Sequence, residues 1–215
     1  KHVFVEKPLC LTEEELQDIR STYEKQAAEG LHLMVGFNRR FSPHAKEARR
    51  FFSSRSNPLV MLYRINAGRI PADHWVQDPD VGGGRVIGEV CHFVDYMHAL
   101  CASPPTSVFA SRVGRHSSGI TEDQCSLSLT FGDGSIGTII YTAEGSSALQ
   151  KEHFEAHADG MSLVMSDFME TRTYHNGKSA LFKTAKRDKG FAQEMAQFVQ
   201  AIEQGLPPVI PFEQI

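Results

Sequence analysis

Hydrophobic and polar positions along the chain follow two periods in succession. The apolar run His2-Val3-Phe4-Val5 ends at Glu6-Lys7-Pro8 and predicts a short strand. Thr12 with Glu15 three residues later forms a capping box, and Leu16, Ile19, Tyr23 and Ala27 follow at helical spacing up to Gly30. Leu31–Phe37 is a second apolar strand, so the chain opens as a βα unit of the kind that closes a doubly wound sheet. Ser42-Pro43 starts another helix with proline in its first turn, and Leu59–Asn66 alternates as a strand. Residues 68–84 read as a loop with Pro71, Pro79 and three consecutive glycines, Gly82 to Gly84. One helix is predicted from Arg85 to Ala102.

After Ala102 the period changes to two. Strands are predicted at Ser107–Arg112, Asp123–Phe131, Ser135–Ala143, His153–Ala158, Met161–Asp167, Met169–His175 and Ser179–Lys183. Gly132-Asp133-Gly134, Asp159-Gly160 and Asn176-Gly177 supply the turns between several of them. A last helix, Phe191–Gln204, is expected to bury Met195, Phe198, Val199 and Ile202. Successive hairpins with segregated helices predict an α+β fold: a large, predominantly antiparallel sheet with helices on one face.

Composition narrows the function classes. A formal net charge of -4 lacks the basic stripe of a nucleic-acid binder. No apolar run reaches the length needed to span a membrane, so no membrane partner is expected. Cys10, Cys91, Cys101 and Cys125 form no CxxC pair, which fits a reducing compartment and a cytoplasmic setting.

Candidate chemistry concentrates in Gly82–Asp95. On a helix, Val86, Val90, Phe93, Met97 and Leu100 make one apolar stripe, with Glu89, His92 and Tyr96 on its flank. A half-sheltered His92 is suited to proton transfer near neutral pH, although a flank histidine bonded to its neighbours explains the same pattern. Lys7, at the end of a strand, is placed to stabilise developing negative charge on a substrate oxygen, although a solvated lysine is the simpler reading of three residues. Glu89 and His92 form E-x-x-H, but a di-iron bundle needs a second copy, and none is present. His153, Glu155 and His157 share one face of a strand; a polar open sheet face explains them better than a metal. No metal is expected. Cys91 and His92 point about 100° apart on a helix and cannot act as a dyad.

Five segments together resemble the Gfo/Idh/MocA family of nicotinamide-dependent oxidoreductases: HVFVEKPL, VGFNRRFSPHAKEAR, DHWVQDPDVGGGRVIGEVCHFVD, FGDGSIGTIIYTAEG and QAIEQGLPPVIPFEQI. The resemblance implies an N-terminal Rossmann domain ending near the EKP motif. No glycine-rich turn precedes Glu6, so the opening unit is expected to be the βα tail of a truncated Rossmann domain. Relatives usually continue beyond the position of Ile215, so trimming at both ends is expected. Residues 1–37 would end the nucleotide-binding domain, and residues 38–215 would form the substrate-binding and oligomerisation domain.

The same resemblance assigns roles. Lys7 would lie beside the nicotinamide and the reacting carbinol, within a cofactor-contacting Glu6, Lys7 and Pro8. His92 would be the general acid/base. Arg39 or Arg40 would border the substrate, and Trp75 and Asp78 would wall its pocket. An aspartate is usual one helical turn before the histidine; Gly88 stands there, and neighbouring Glu89 is the candidate replacement. The implied reaction is hydride transfer between a sugar, inositol or polyol and NAD or NADP, in a homo-oligomer assembled through the open sheet face. This stretch alone is expected to be inactive, with the cofactor held mainly by the missing domain. Competing readings are NAD-dependent glycoside hydrolysis, which retains the cofactor, and a non-catalytic dimerisation module.

Overall fold

The computed structural model describes residues 1–114 and 123–215. β1 (Val3–Val5) and β2 (Leu33–Val35) pair in parallel, connected through α1 (Glu13–Ala27). The start of α1 is fixed reciprocally: Glu15 N–H donates to the Thr12 hydroxyl and Thr12 N–H to the Glu15 carboxylate, both at 3.2 Å. β1 ends at Val5, and Pro8, which has no N–H for a ladder, follows three residues on, so Lys7 stands just beyond the carboxyl end of a parallel pair.

A 3-10 turn at Asn38–Phe41 leads into α2 (Pro43–Phe51), where the Ser42 hydroxyl caps Ala45 N–H at 3.0 Å. The helix predicted over Arg85–Ala102 is two structures. Val86–Val90 is a π-turn and α3 is Cys91–Cys101, closed by Ala102 in the left-handed conformation. Gly88 lies inside the π-turn, where its low helix propensity makes the departure inexpensive.

The large sheet contains β3 (Val60–Asn66), β4 (Pro105–Arg112), β5 (Gln124–Phe131), β6 (Ile136–Thr142), β7 (Glu152–Ala158), β8 (Met161–Ser166), β9 (Glu170–His175) and β10 (Lys178–Lys183). Its order is β10-β9-β8-β7-β3-β6-β5-β4. Early in sequence, β3 inserts between β6, parallel to it, and β7, antiparallel to it; the other described pairings in this sheet are antiparallel. The architecture is α+β.

Alternation sorts the two faces. Met61, Tyr63 and Ile65 of β3, Ile139 and Tyr141 of β6, and Phe154 and Ala156 of β7 are buried with Phe93, Tyr96 and Met97 of α3. Tyr63 meets Phe93 and Phe154 edge-on at 4.9 and 5.3 Å. Each such side chain contributes about 1.5–3 kcal/mol by leaving water. Val60, Ile136 and Ile140 alternate onto the opposite, exposed face.

A second core joins the two ends of the chain. Met34, Val35, Phe37 and Phe41 cluster with Ile210 and with Phe198 of α4 (Phe191–Glu203). The buried residues of α4 are Glu194, Phe198 and Ala201, whereas Met195 and Val199, expected inside, are exposed. Tertiary packing against Phe37 and Phe41 selects a face rotated by about one residue, roughly 100°, from the most apolar one.

Candidate active site

Lys7 reaches across the molecule. Its ammonium Nζ donates to the carbonyl oxygen of Gly88 at 2.5 Å, linking the end of β1 to the π-turn. Two glycines permit the approach of the surrounding loop. A Cβ on Gly82 would fall 2.4 Å from Val76 Cα, and one on Gly83, at φ 68°, would fall 2.7 Å from Leu11 Cδ2. The glycine run thereby packs between the Trp75–Gln77 turn and the segment following Lys7.

His92 follows one turn later and is only 5% exposed. Its Nδ1 is buried without a hydrogen-bond partner, and Phe37 lies edge-on at 6.2 Å. Burial, then the positive charges of Arg39 and Lys7, outweigh Glu152 and Glu89 and pull its pKa down to about 2. The ring is therefore a neutral imidazole throughout the neutral range, and the titration expected near pH 7 is displaced. Cys91 beside it is a thiol, raised to about 11 by burial.

The arginines expected at the substrate border are engaged by buried carboxylates. Arg39 binds Glu152 through Nε and Nη2 at 3.0 and 2.9 Å, and its guanidinium lies 5.0 Å from the Phe93 ring centre. Glu152 also accepts from the Tyr63 hydroxyl at 2.7 Å and Lys189 Nζ at 2.5 Å. Arg40 makes a forked pair with Asp95 and donates to Gln214 Oε1 at 3.0 Å. Glu89, the candidate replacement for the absent aspartate, makes no hydrogen bond to His92, although its charge acts on the ring. Its carboxylate instead accepts from Lys151 at 2.7 Å, Arg85 at 3.0 Å and the Tyr141 hydroxyl. Burial opposes its charge, but Lys151 leads these donors in holding its pKa down to about 2.

Trp75 and Asp78 remain exposed and make no hydrogen bond to Lys7 or His92. The Asp78 carbonyl accepts the N–H groups of Gly82 and Gly83 at 2.8 and 3.1 Å, so Asp78 shapes the glycine turn. Glu6 packs against Gly36, and its charge joins burial in raising the Glu194 pKa to about 8. Pro8 lines a largely apolar cavity of about 610 Å³ with Leu9, Val90 and Val94. A polar cavity of about 570 Å³ opens at the ends of β3 and β6, lined by Asn66, Arg69, Lys151, Asp167 and Arg187. An apolar groove of about 330 Å³ between α1 and the paired strands lies away from His92 and gathers none of this chemistry.

On the open face, His153 Nε2 meets Glu155 Oε1 at 2.8 Å and His157 Nδ1 meets Ser162 Oγ at 2.9 Å. Among the described residues no group of three His, Cys, Asp or Glu side chains is arranged to hold a metal ion.

Asp95, Tyr141, Lys151 and Glu152 were absent from the sequence-derived site. Glu152 carried a signal: it opens the in-facing series Glu152, Phe154, Ala156, and a charge in core register requires a buried partner. Two arginines between Phe37 and Phe41 carried the complementary signal.

Residues 59–163 match the GFO/IDH/MocA C-terminal domain. Over 143 residues the chain is 27% identical to the uncharacterized oxidoreductase YrbE of Bacillus subtilis, covering 65% of this chain and 41% of that protein. Aldose-aldose oxidoreductase from Caulobacter crescentus, complexed with glycerol, superposes with a TM-score of 0.82 at 17% identity, over 100% of this chain and 65% of its own. UDP-N-acetylglucosamine 3-dehydrogenase GnnA from Acidithiobacillus ferrooxidans gives 0.78 at 19% identity, over 99% and 65%. GenD2 from gentamicin A biosynthesis, in complex with NAD, gives 0.75 at 19% identity, over 100% and 65%. The chain thus spans less than half of the YrbE length and about two thirds of these solved chains.

Proposed function

We propose that the chain, whose residues 59–163 match the GFO/IDH/MocA C-terminal domain, is the substrate-binding and catalytic portion of a Gfo/Idh/MocA-type enzyme that oxidises or reduces a CH–OH group of a sugar, inositol or polyol with NAD or NADP. The observation that carries this reading is the meeting of Lys7, from the end of β1, with the turn that presents the unpartnered imidazole of His92. A nicotinamide cofactor fits such a place: the carboxyl end of a parallel pair adjoins a buried, unsatisfied ring nitrogen and a cation. Glu6, Lys7 and Pro8 would contact it. When bound, it supplies the hydride acceptor or donor.

The chain's own groups handle the proton and the charge. The Lys7 ammonium donates to the carbinol oxygen and stabilises alkoxide character there. Neutral His92 accepts the hydroxyl proton on a ring nitrogen, and in the reverse direction returns it. Phe37 and the α3 core keep bulk water from the imidazole. Residues 1–37 are proposed to belong with the nucleotide-binding part and residues 38–215 with the substrate part. The open face of the sheet, bearing Val60, Ile136 and Ile140, is proposed to join two subunits. Among the described residues no helix is long and apolar enough to cross a membrane.

Cofactor absorbance in the intact protein, followed with NAD and NADP across sugars, inositols and polyols, tests the proposal. Reduction with one substrate class supports it. Tightly retained NAD with no net reduction would instead favour cofactor-assisted hydrolysis.

A further inference from the structure

Charges around His92 do not cancel. Two ion-pair clusters lie there, Arg85 and Lys151 with Glu89 and Asp123, and Arg39 and Lys189 with Glu152; with Lys7, bonded to the Gly88 carbonyl, these are five cations against three carboxylates. The whole chain carries -4, so this local excess of positive charge runs against its background. Two of the cations are the solvent-facing ends of the two clusters. The side chains of Lys151 and Lys189 are 33% and 17% exposed, whereas Arg39 and Arg85 are enclosed.

These lysines are not needed to satisfy the carboxylates they touch. Arg85 and Tyr141 already donate to Glu89, and Arg39 and Tyr63 to Glu152. Each ammonium has three donors and makes one hydrogen bond among the described residues, so N–H groups remain for a ligand. Lys151 also lines the polar cavity of about 570 Å³, a size suited to a small ligand. Its ion pair with Glu89 joins the wall of that cavity to the turn before His92. The two lysines and Arg39 act on one another electrostatically, which places them in one field.

We propose that the substrate carries an anionic group, a carboxylate or a phosphate, that docks on Lys151 and Lys189 while its carbinol lies at Lys7 and His92. The reacting carbon rests on the oxidoreductase reading above; the anion rests on the charge excess and the cavity. Oxidation of an acidic or phosphorylated sugar is thereby the reaction that this site favours over oxidation of the neutral parent.

Calorimetric titration of the full chain with glucose, glucuronate and glucose 6-phosphate tests this directly. An anionic sugar is expected to bind about tenfold more tightly than glucose, with the preference shrinking as salt is raised. The tighter of the two anions identifies carboxylate or phosphate as the recognised group. Lys151→Met and Lys189→Met, checked for an unchanged thermal midpoint, should reduce the preference to about threefold or less, and Lys151→Arg should retain most of it. Equal affinity for all three sugars, binding of none, or a preference that survives both methionine substitutions in folded protein overturns the proposal. A parallel cofactor assay on the intact protein separates the two readings. Anion binding without cofactor reduction removes the oxidoreductase assignment alone, and equal turnover of neutral and acidic sugars removes the anion site alone.

Discussion

Glu152 and Glu89 receive the same kinds of donor in two different settings. Each is bound by one arginine, one lysine and one tyrosine hydroxyl: Arg39, Lys189 and Tyr63 for the first, Arg85, Lys151 and Tyr141 for the second. Glu152 stands on an in-facing position of β7 and its side chain is 0% exposed; Glu89 sits on the π-turn and is 21% exposed. In the first place Arg39 and Tyr63 tie Asn38–Phe41 to the sheet, inside a core where an unpaired charge is very costly, and Lys189 takes the solvent-facing side of the carboxylate. In the second they surround a turn whose neighbours are Lys7 and His92, where the carboxylate's charge acts on the buried imidazole. Burial, more than the identity of the partners, separates the two settings.

The sharpest break of this comparison is Glu152→Ala. Removing the carboxylate strands Arg39 and Lys189, and denaturant unfolding should register a loss of about 3–5 kcal/mol. A loss below about 1 kcal/mol would mean that the brace is solvated, like an exposed pair.

Glu89→Gln should cost less, on the order of 1–2 kcal/mol at neutral pH, because water reaches part of the site. Its pH dependence gives the sign. The carboxylate pKa is depressed from 4.5 to about 2 in the folded chain, so its contribution is complete above pH 4.5 and disappears as pH falls through about 2. Unfolding curves of parent and variant should therefore converge across that window. A gap that stays constant in acid would contradict the assignment.

Glu194 has the opposite sign. Its pKa is raised from 4.5 to about 8, mainly by burial and then by Glu6 and Asp95, so the folded state favours the protonated form. Stability from this group is present below pH 4.5 and is lost as pH rises through about 8. Glu194→Gln should flatten that decline in a pH series of thermal midpoints; an unaltered slope would place the titration elsewhere.

Local pattern made much of this fold legible. The alternation after Ala102 located seven strands to within about two residues, and Thr12 with Glu15 marked the start of α1. The insertion of β3 between β6 and β7 was not legible, because pairing between residues as far apart as Val60 and Ile136 or Val60 and His157 leaves no local trace. Nor was the π-turn, whose apolar spacing also satisfies an ordinary helix. In α4 the apolar positions Met195, Phe198, Val199 and Ile202 pointed inward; Phe198 is buried and Ile202 partly so, while packing exposed Met195 and Val199 and buried Glu194 and Ala201. Lys7 and His92 stood out through the order of motifs shared with a known family; as single residues each had an ordinary explanation. Arg39 and Arg40 drew attention at the substrate border, and two arginines in an apolar stretch carried a further physical message, the need for buried partners, met by Glu152 and Asp95.

The central claim is that Lys7 and His92 form one reaction centre, and the most direct measurement is single-turnover cofactor reduction by the intact protein and its Lys7→Ala and His92→Ala variants. The account predicts a fall of about 10²–10⁴-fold in each, with unchanged folding and no ionisation near pH 6.5 assignable to His92. Near-parental rates in both folded variants would contradict it and move the chemistry away from the junction of β1 and the π-turn.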